Sequence, residues 1–362
     1  MNKITLISNR NYSVKKFRKN LIEELKKDYE VSLIIVDDTD ERIEIDGVDI
    51  YYVSDNNRDI NPLNKIHLKN KIEKLLKQIN PNKVFTFQIT PNTFGVLAAK
   101  KCKINDIYSM IEGVGDVFIN NTLYWKIIRL ITLFLYKVSL KNCKKIFFIC
   151  NDDKDEFIKR GLVKNRQCVV INGVGIDLDY FKYKDIKNTN TYVMIARMSP
   201  TKGVIEYCEA AKLIKQKYPN TIFNYVGEEF TLKKQDIQKY IDSGTINYLG
   251  YKDDIRPYLE NSFINVLPSY REGFGLVIAE AGAVGRASIA SRTQGCKDAI
   301  VENKTGLLFD NKDYKDLANK IEYSIKHKEE LINMGINARK LAENEYDQTI
   351  INAYILKEIQ NV

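Results

Sequence analysis

Histidine is scarce, with only His67 and His327 in 362 residues, and the six cysteines (102, 143, 150, 168, 208 and 296) include no Cys-x-x-Cys pair. Zinc sites need such ligands at set spacings, so no metal centre of that kind is expected. Scattered cysteines also give no disulfide framework. They suit a reducing compartment, each acting as a small buried side chain. No apolar run is long enough to span a bilayer. The start offers no export signal either: Met1-Asn2-Lys3 passes straight into Ile4-Thr5-Leu6-Ile7, too short for a secretory core and readable as a buried first strand. Together these absences predict a cytoplasmic protein. Tandem short repeats and low-complexity segments are missing too, which excludes solenoid and fibrous architectures.

What is present suits a soluble globular chain too long for one ordinary core, so two domains in tandem are expected. Charge divides unevenly between them. Residues 1–170 hold 30 Lys and Arg against 21 Asp and Glu, whereas residues 171–362 hold 26 of each, so the whole excess of +9 lies in the first half. Such asymmetry fits an anionic partner of the N-terminal domain (phosphorylated acceptor, acidic lipid or nucleic acid), and solvated lysine-rich helix faces would give it equally. No helix-turn-helix, RNA-recognition or finger pattern supports nucleic acid, so none is expected as a partner.

Strand-like runs alternate with helical patterns, the mark of a parallel sheet with crossover helices. Strands are expected at residues 4–8, 31–36, 83–87, 107–111 and 145–150, with helices near 14–27 and 64–79. A break falls at Val169-Val170-Ile171-Asn172-Gly173-Val174-Gly175-Ile176-Asp177, where a strand runs into turn residues. The pattern then restarts, with strands at 192–196, 221–226, 246–249, 264–267 and 287–290, a helix over 204–217, another opening near Gly275, and terminal helices from Tyr314 onward. The predicted domains are 1–172 and 173–346, both Rossmann-like, with a C-terminal helix over about 347–362 packing back on the first.

The strongest local signal is Pro268-Ser269-Tyr270-Arg271-Glu272-Gly273-Phe274-Gly275-Leu276-Val277-Ile278-Ala279-Glu280. A buried strand there ends in a glycine-bearing loop that opens a helix, presenting backbone N–H groups and a positive dipole end to an anion such as a diphosphate. Glu272 and Glu280 can then address different parts of one extended ligand, although a capped helix with a surface Glu pair would read similarly. Ala196-Arg197-Met198-Ser199-Pro200-Thr201-Lys202-Gly203 also follows a strand's carboxyl end and offers two cations. Arg binds phosphate oxygens bidentately and Lys acts as a mobile point charge; taken alone, both would more often be ordinary surface residues.

In combination, Ala196-Arg197…Lys202-Gly203, Val226-Gly227-Glu228, Leu249-Gly250-Tyr251, the 267–275 loop with Glu280 eight positions past Glu272, Gly295-Cys296-Lys297-Asp298 and Gly306-Leu307-Leu308-Phe309 resemble the donor domain of retaining family 4 glycosyltransferases. The resemblance covers residues 190–310. More loosely, residues 9–20, Ile111-Glu112-Gly113-Val114-Gly115 and 172–177 are similar to acceptor-domain loops and the interdomain hinge of bacterial surface-polysaccharide members. The resemblance implies an α/β chain of the GT-B fold, two Rossmann-like domains with parallel sheets facing across a cleft. It further implies that Arg197 and Lys202 hold a diphosphate, Glu272 the donor sugar and Glu280 the ribose. Gly273, Phe274, Gly275, Leu276 and Val277 would support sugar and phosphate, and Tyr251 and Lys252 would border the base. Asn9, Arg10, Ser13, Glu112, Gly113 and Gly115 would line the cleft from the acceptor side. The co-substrate implied is a UDP-sugar, with no cofactor or metal required, and the acceptor a saccharide, either free or carried on polyprenyl diphosphate. Two departures stand out: Ser8-Asn9-Arg10-Asn11-Tyr12 replaces the glycine pair many relatives carry, and neither histidine matches the one many place in the acceptor domain.

Asp177-Leu178-Asp179 resembles a metal-binding aspartate pair, but after the hinge-like glycines Asp177 reads as a turn or cap residue. Residues 122–138 mix aromatic, aliphatic and basic side chains; a buried crossover helix and a helix lying on the inner-membrane surface, through residues 122–145, are competing expectations. The expected function is therefore transfer of a sugar from a nucleotide-sugar, a UDP-hexose or UDP-N-acetylhexosamine, to a saccharide in surface polysaccharide synthesis. Its rivals are a UDP-sugar 2-epimerase of the same architecture and a non-catalytic nucleotide-sugar-binding protein.

Overall fold

The structure, a computed structural model, describes residues 2–55, 61–113, 122–186 and 190–360. The chain divides into two compact units, residues 1–174 with 351–362, and residues 175–350.

The first unit is built on a seven-stranded parallel sheet in the order β3-β2-β1-β4-β5-β6-β7. These strands are β1 (Asn2–Asn9), β2 (Tyr29–Val36), β3 (Asp49–Val53), β4 (Lys83–Phe87), β5 (Asp106–Ile111), β6 (Lys145–Phe148) and β7 (Cys168–Val170). Its inner strands are buried along nearly their whole length, as strands covered on both faces must be. Ile7, Ile34, Val84, Ile107 and Phe148 form the core with Leu68, Ile72 and Leu76 of the helix Pro62–Ile79. Edge strand β3 escaped the sequence reading, although Ile50-Tyr51-Tyr52-Val53 is a short apolar run; its residues are mostly half-exposed. The helix expected over 14–27 is interrupted: Asn11–Phe17 and Lys19–Leu25 meet at Arg18, whose backbone still bonds Val14 and Ile22 while its side chain turns inward. Near the C-terminus, the Ile359 carbonyl accepts from Tyr108 Oη and Lys83 Nζ, each at 3.1 Å, and Gln360 bonds Asp28 at 2.8 Å.

The second unit carries a six-stranded parallel sheet in the order β10-β9-β8-β11-β12-β13. The strands are β8 (Thr191–Ile195), β9 (Ile222–Val226), β10 (Asn247–Tyr248), β11 (Ile264–Leu267), β12 (Ala287–Ser291) and β13 (Gly306–Phe309). Tyr192 stacks on Phe223 at 5.1 Å in a core completed by Tyr207, Val266 and Ile289. Arg286 is fully buried and, among the described residues, donates to main-chain carbonyls alone, those of Ser262, Lys184, Val284, Asp185 and Glu260, at 2.7–3.3 Å. Asp177 proves to be a turn residue, its Oδ1 accepting from the backbone of Asp179 and Tyr180 at 3.0 and 2.9 Å. The six cysteines form no disulfide, and Cys143, Cys150, Cys208 and Cys296 are buried.

Both sheets reverse direction once. Strand order turns between β1 and β4 in the first unit and between β8 and β11 in the second. At such a switch point the loops leaving neighbouring strands diverge and open a crevice at the carboxyl edge.

Candidate functional site

In the second unit, the loops after β8 and β11 flank the switch point and are stitched together. Tyr270 N donates to Thr201 O at 2.8 Å, and Lys202 Nζ meets Glu272 Oε1 at 2.6 Å. These two side chains are 22% and 13% exposed, so the pair is sheltered yet open on one side. A lysine has three donors and the contact uses one, leaving the others for an anion. Gly203 makes the approach possible. Its φ is 71°, and a Cβ there would stand 2.0 Å from the Pro268 carbonyl oxygen, so no other residue fits without moving the loop. Gly295 does the same from the far side, where a Cβ would lie 2.5 Å from Glu272 O and 2.6 Å from Gly273 O.

Beyond Glu272 the loop is anchored by Phe274, 6% exposed and edge-on to Tyr346 at 5.3 Å, and by Gly275 N donating to Gly295 O at 3.0 Å. The helix Leu276–Ala283 then opens, placing Leu276 and Val277 in its first turn and its positive end at the carboxyl edge of the sheet. Glu280 sits on the buried side of that helix, 5% exposed. Arg197 is exposed and its guanidinium lies 4.8 Å from the Phe230 ring, a partner the sequence reading did not identify. Tyr251 is exposed and Lys252 half-buried, both just after β10. Behind the Lys202 loop, Tyr270 Oη donates to Glu206 Oε1 at 2.5 Å, and burial raises the phenol's pKa. Burial likewise pushes the Cys296 thiol, beneath the Glu272 loop, up to about 12.

The first unit holds a polar cluster at its own switch point. Gln88, directly after β4, accepts from Asn9 N at 3.0 Å and Ser8 Oγ at 3.3 Å, and donates to Ser13 Oγ at 2.6 Å and Glu112 Oε2 at 2.9 Å. The other oxygen of Glu112 pairs with Arg18. Arg18 is 2% exposed and lies 4.2 Å from the Phe87 ring centroid; burial lowers its guanidinium to about 9, still cationic at neutral pH. Asn9, Ser13 and Glu112 thus meet in one network. Arg10 is exposed with φ 61°, and Gly113 follows Glu112 with φ 123°. Gly115 lies outside the described residues. Gln88 and Arg18 were missed by the sequence reading. Arg18 had a signal, since it occupies an otherwise apolar stripe through Val14, Leu21 and Leu25.

The helix Leu123–Leu140 buries Ile128, Thr132, Tyr136, Ser139 and Leu140, but exposes Leu123, Ile127, Leu130, Ile131 and Phe134 on the opposite side. Among the described residues, no helix is long and apolar enough to cross a membrane, and no group of three or more His, Cys, Asp or Glu side chains gathers for a metal ion.

Comparison with known proteins agrees with this geometry. Residues 176–341 match the family described as glycosyl transferases group 1, and residues 3–149 match glycosyl transferase 4-like proteins. The N,N'-diacetylbacillosaminyl-diphospho-undecaprenol alpha-1,3-N-acetylgalactosaminyltransferase of Campylobacter jejuni is 32% identical over 98% of this chain and 97% of its own. The UDP-Gal:alpha-D-GlcNAc-diphosphoundecaprenol alpha-1,3-galactosyltransferase of Escherichia coli is 26% identical over 76% of this chain and 74% of its own. Anabaena HepE, solved with UDP and glucose, superposes with a TM-score of 0.80 at 17% identity, covering 100% of both chains. The chain belongs to the group 1 glycosyltransferases and has their GT-B fold. Neither enzyme relative is an isomerase, and the epimerase alternative gains no support.

Proposed function

We propose that this glycosyltransferase takes a sugar from a UDP-hexose or UDP-N-acetylhexosamine and attaches it, with retention, to a saccharide carried on undecaprenyl diphosphate, during surface polysaccharide synthesis at the cytoplasmic face of the membrane. The observation that carries this reading is the Lys202–Glu272 pair across the β8/β11 switch point, beside the amino end of Leu276–Ala283. In this scheme residues 173–346 bind the donor and residues 1–172, with 347–362, the acceptor.

Lys202 and Arg197 hold the diphosphate and stabilise its charge as the anomeric C–O bond breaks. Glu272 accepts from donor sugar hydroxyls, Glu280 from the ribose, and the 273–277 backbone supports sugar and phosphate, while Tyr251 and Lys252 border the base. The acceptor oxygen forms the new bond and its proton passes to the departing diphosphate, so the scheme needs no metal ion. Asn9, Arg10, Ser13, Glu112, Gly113 and Gly115 serve the acceptor side. Two relatives whose names specify sugar-diphospho-undecaprenol acceptors support that choice, as does the UDP in the structural neighbour. The exposed apolar side of Leu123–Leu140 then rests on the lipid surface that carries the acceptor.

The test is incubation with UDP-Gal, UDP-GalNAc or UDP-GlcNAc and GlcNAc-diphosphoundecaprenol. Acceptor-dependent release of UDP and an α-linked disaccharide lipid are expected. No transfer from any of these donors, or undiminished transfer when Arg197 and Lys202 are both alanine, would sink the assignment.

A further inference from the structure

We propose that Glu112 is the carboxylate through which the first unit takes a hydroxyl of the saccharide acceptor, and that Arg18 and Gln88 are positioning residues that fix its direction. This rests on the reading that the first unit binds the acceptor. The carboxylate is engaged on both oxygens, one paired with the Arg18 guanidinium and the other accepting from Gln88 Nε2 at 2.9 Å, which sets its direction. A simple structural anchor for the helix would need one oxygen only. The second contact comes from a side chain that also ties the end of β1, through Asn9 N and Ser8 Oγ, to the helix Asn11–Phe17, through Ser13 Oγ.

That arrangement is costly to keep. Gln88 sits at φ 67°, a left-handed backbone that disfavours any residue with a Cβ. Arg18 is a cation 2% exposed. Both features converge on Glu112, whose side chain stays 17% exposed at the carboxyl edge of the sheet. Strain and buried charge are thus placed behind a carboxylate that remains reachable.

The chemistry of the cluster selects its ligand. Glu112 Oε2 has accepted one bond, from Gln88, and retains lone-pair capacity for another. Close by in the same network, Asn9 Oδ1 is a buried acceptor with no hydrogen-bond partner among the described residues. Two acceptors call for a donor. A phosphate would bring like charge to Glu112, whereas a sugar hydroxyl supplies a neutral donor, which is what the site lacks. The donor sugar and the acceptor sugar both carry hydroxyls, and the experiment separates them.

Glu112→Gln, Gln88→Asn and Gln88→Gly are compared with the wild type in the transfer assay with GlcNAc-diphosphoundecaprenol and its 4-deoxy and 6-deoxy analogues. Asn and Gly tolerate the left-handed backbone and remove no charge, so the two Gln88 variants decide the matter if Glu112→Gln does not fold. The expected result is a rise of about tenfold in acceptor KM, of the size one lost hydrogen bond to a charged group gives, with UDP affinity by calorimetry unchanged. One deoxy acceptor should lose a similar factor with the wild type and little more with Glu112→Gln. Acceptor KM within twofold of wild type in the Gln88 variants and every folded Glu112 variant overturns the inference, and so does a rise in donor KM instead. A wild type that transfers nothing overturns the functional reading itself.

Discussion

Lys202 and Glu272 are each other's neutralising partner at 2.6 Å, and truncating one leaves the other sheltered and uncompensated. Lys202→Ala is therefore expected to weaken UDP binding by about 10- to 100-fold, the range of a charge-assisted contact to phosphate. Glu272→Gln should leave UDP affinity nearly intact while lowering transfer, because the group it replaces addresses the sugar. Calorimetry with UDP, alongside transfer rates, checks both; equal UDP affinity in wild type and Lys202→Ala would refute the phosphate role. Lys202 and Glu272 were legible in the sequence because each follows a strand run and sits beside glycines with a loop-making purpose. Gln88 was not, because what singles it out is its backbone angle and four partners 24 to 80 positions away, none of which leaves a local pattern.

Among elements, the helix Leu123–Leu140 carries two apolar sides, and this is why periodicity alone left its burial open. One side packs inward through Ile128, Thr132 and Tyr136; the other presents Leu130 at 68% exposure and Phe134 at 66%. No acidic residue occurs between Asp116 and Asp152, a stretch that includes Lys126, Lys137 and Lys141. A segment that exposes apolar side chains and carries only cations among its charged residues suits an anionic lipid surface and repels a second copy of itself. Leu130→Asp with Phe134→Asp is expected to reduce sedimentation with phosphatidylglycerol vesicles by about tenfold or more without changing UDP affinity. Unchanged sedimentation would remove the helix from the membrane. The strands, by contrast, were mostly readable: β4, β5, β6 and β11 are short apolar runs closed by polar or turn residues, and such runs become inner strands of a parallel sheet. Edge strand β3 carries a similar run, Ile50-Tyr51-Tyr52-Val53, and was missed all the same; it is half-exposed and paired on one side only.

For the molecule as a whole, buried thiols set a limit on alkaline stability. Burial pushes Cys143, Cys208 and Cys296 from an ordinary 9.0 up to about 12. A thiol that keeps its proton longer in the folded chain than in the unfolded one contributes fully below about pH 9 and loses that contribution as pH climbs toward 12. Urea midpoints are expected to fall between about pH 8 and pH 10.5, and to fall less when these three residues are alanine. A midpoint that drops equally in both proteins would show that the thiols are not responsible.

Arg286 is held by a different kind of partner. Its five N–H groups are all spent on peptide carbonyls from residues 184–185, 260–262 and 284, and among the described residues no carboxylate hydrogen-bonds to it. A single side chain thus does there what a short piece of sheet would otherwise do, joining three strangers in sequence by main-chain acceptors. Because those acceptors never titrate, acid cannot unfasten the knot, and because lysine brings three hydrogens to five oxygens, the gentlest basic replacement would still leave two carbonyls stranded in the dark interior.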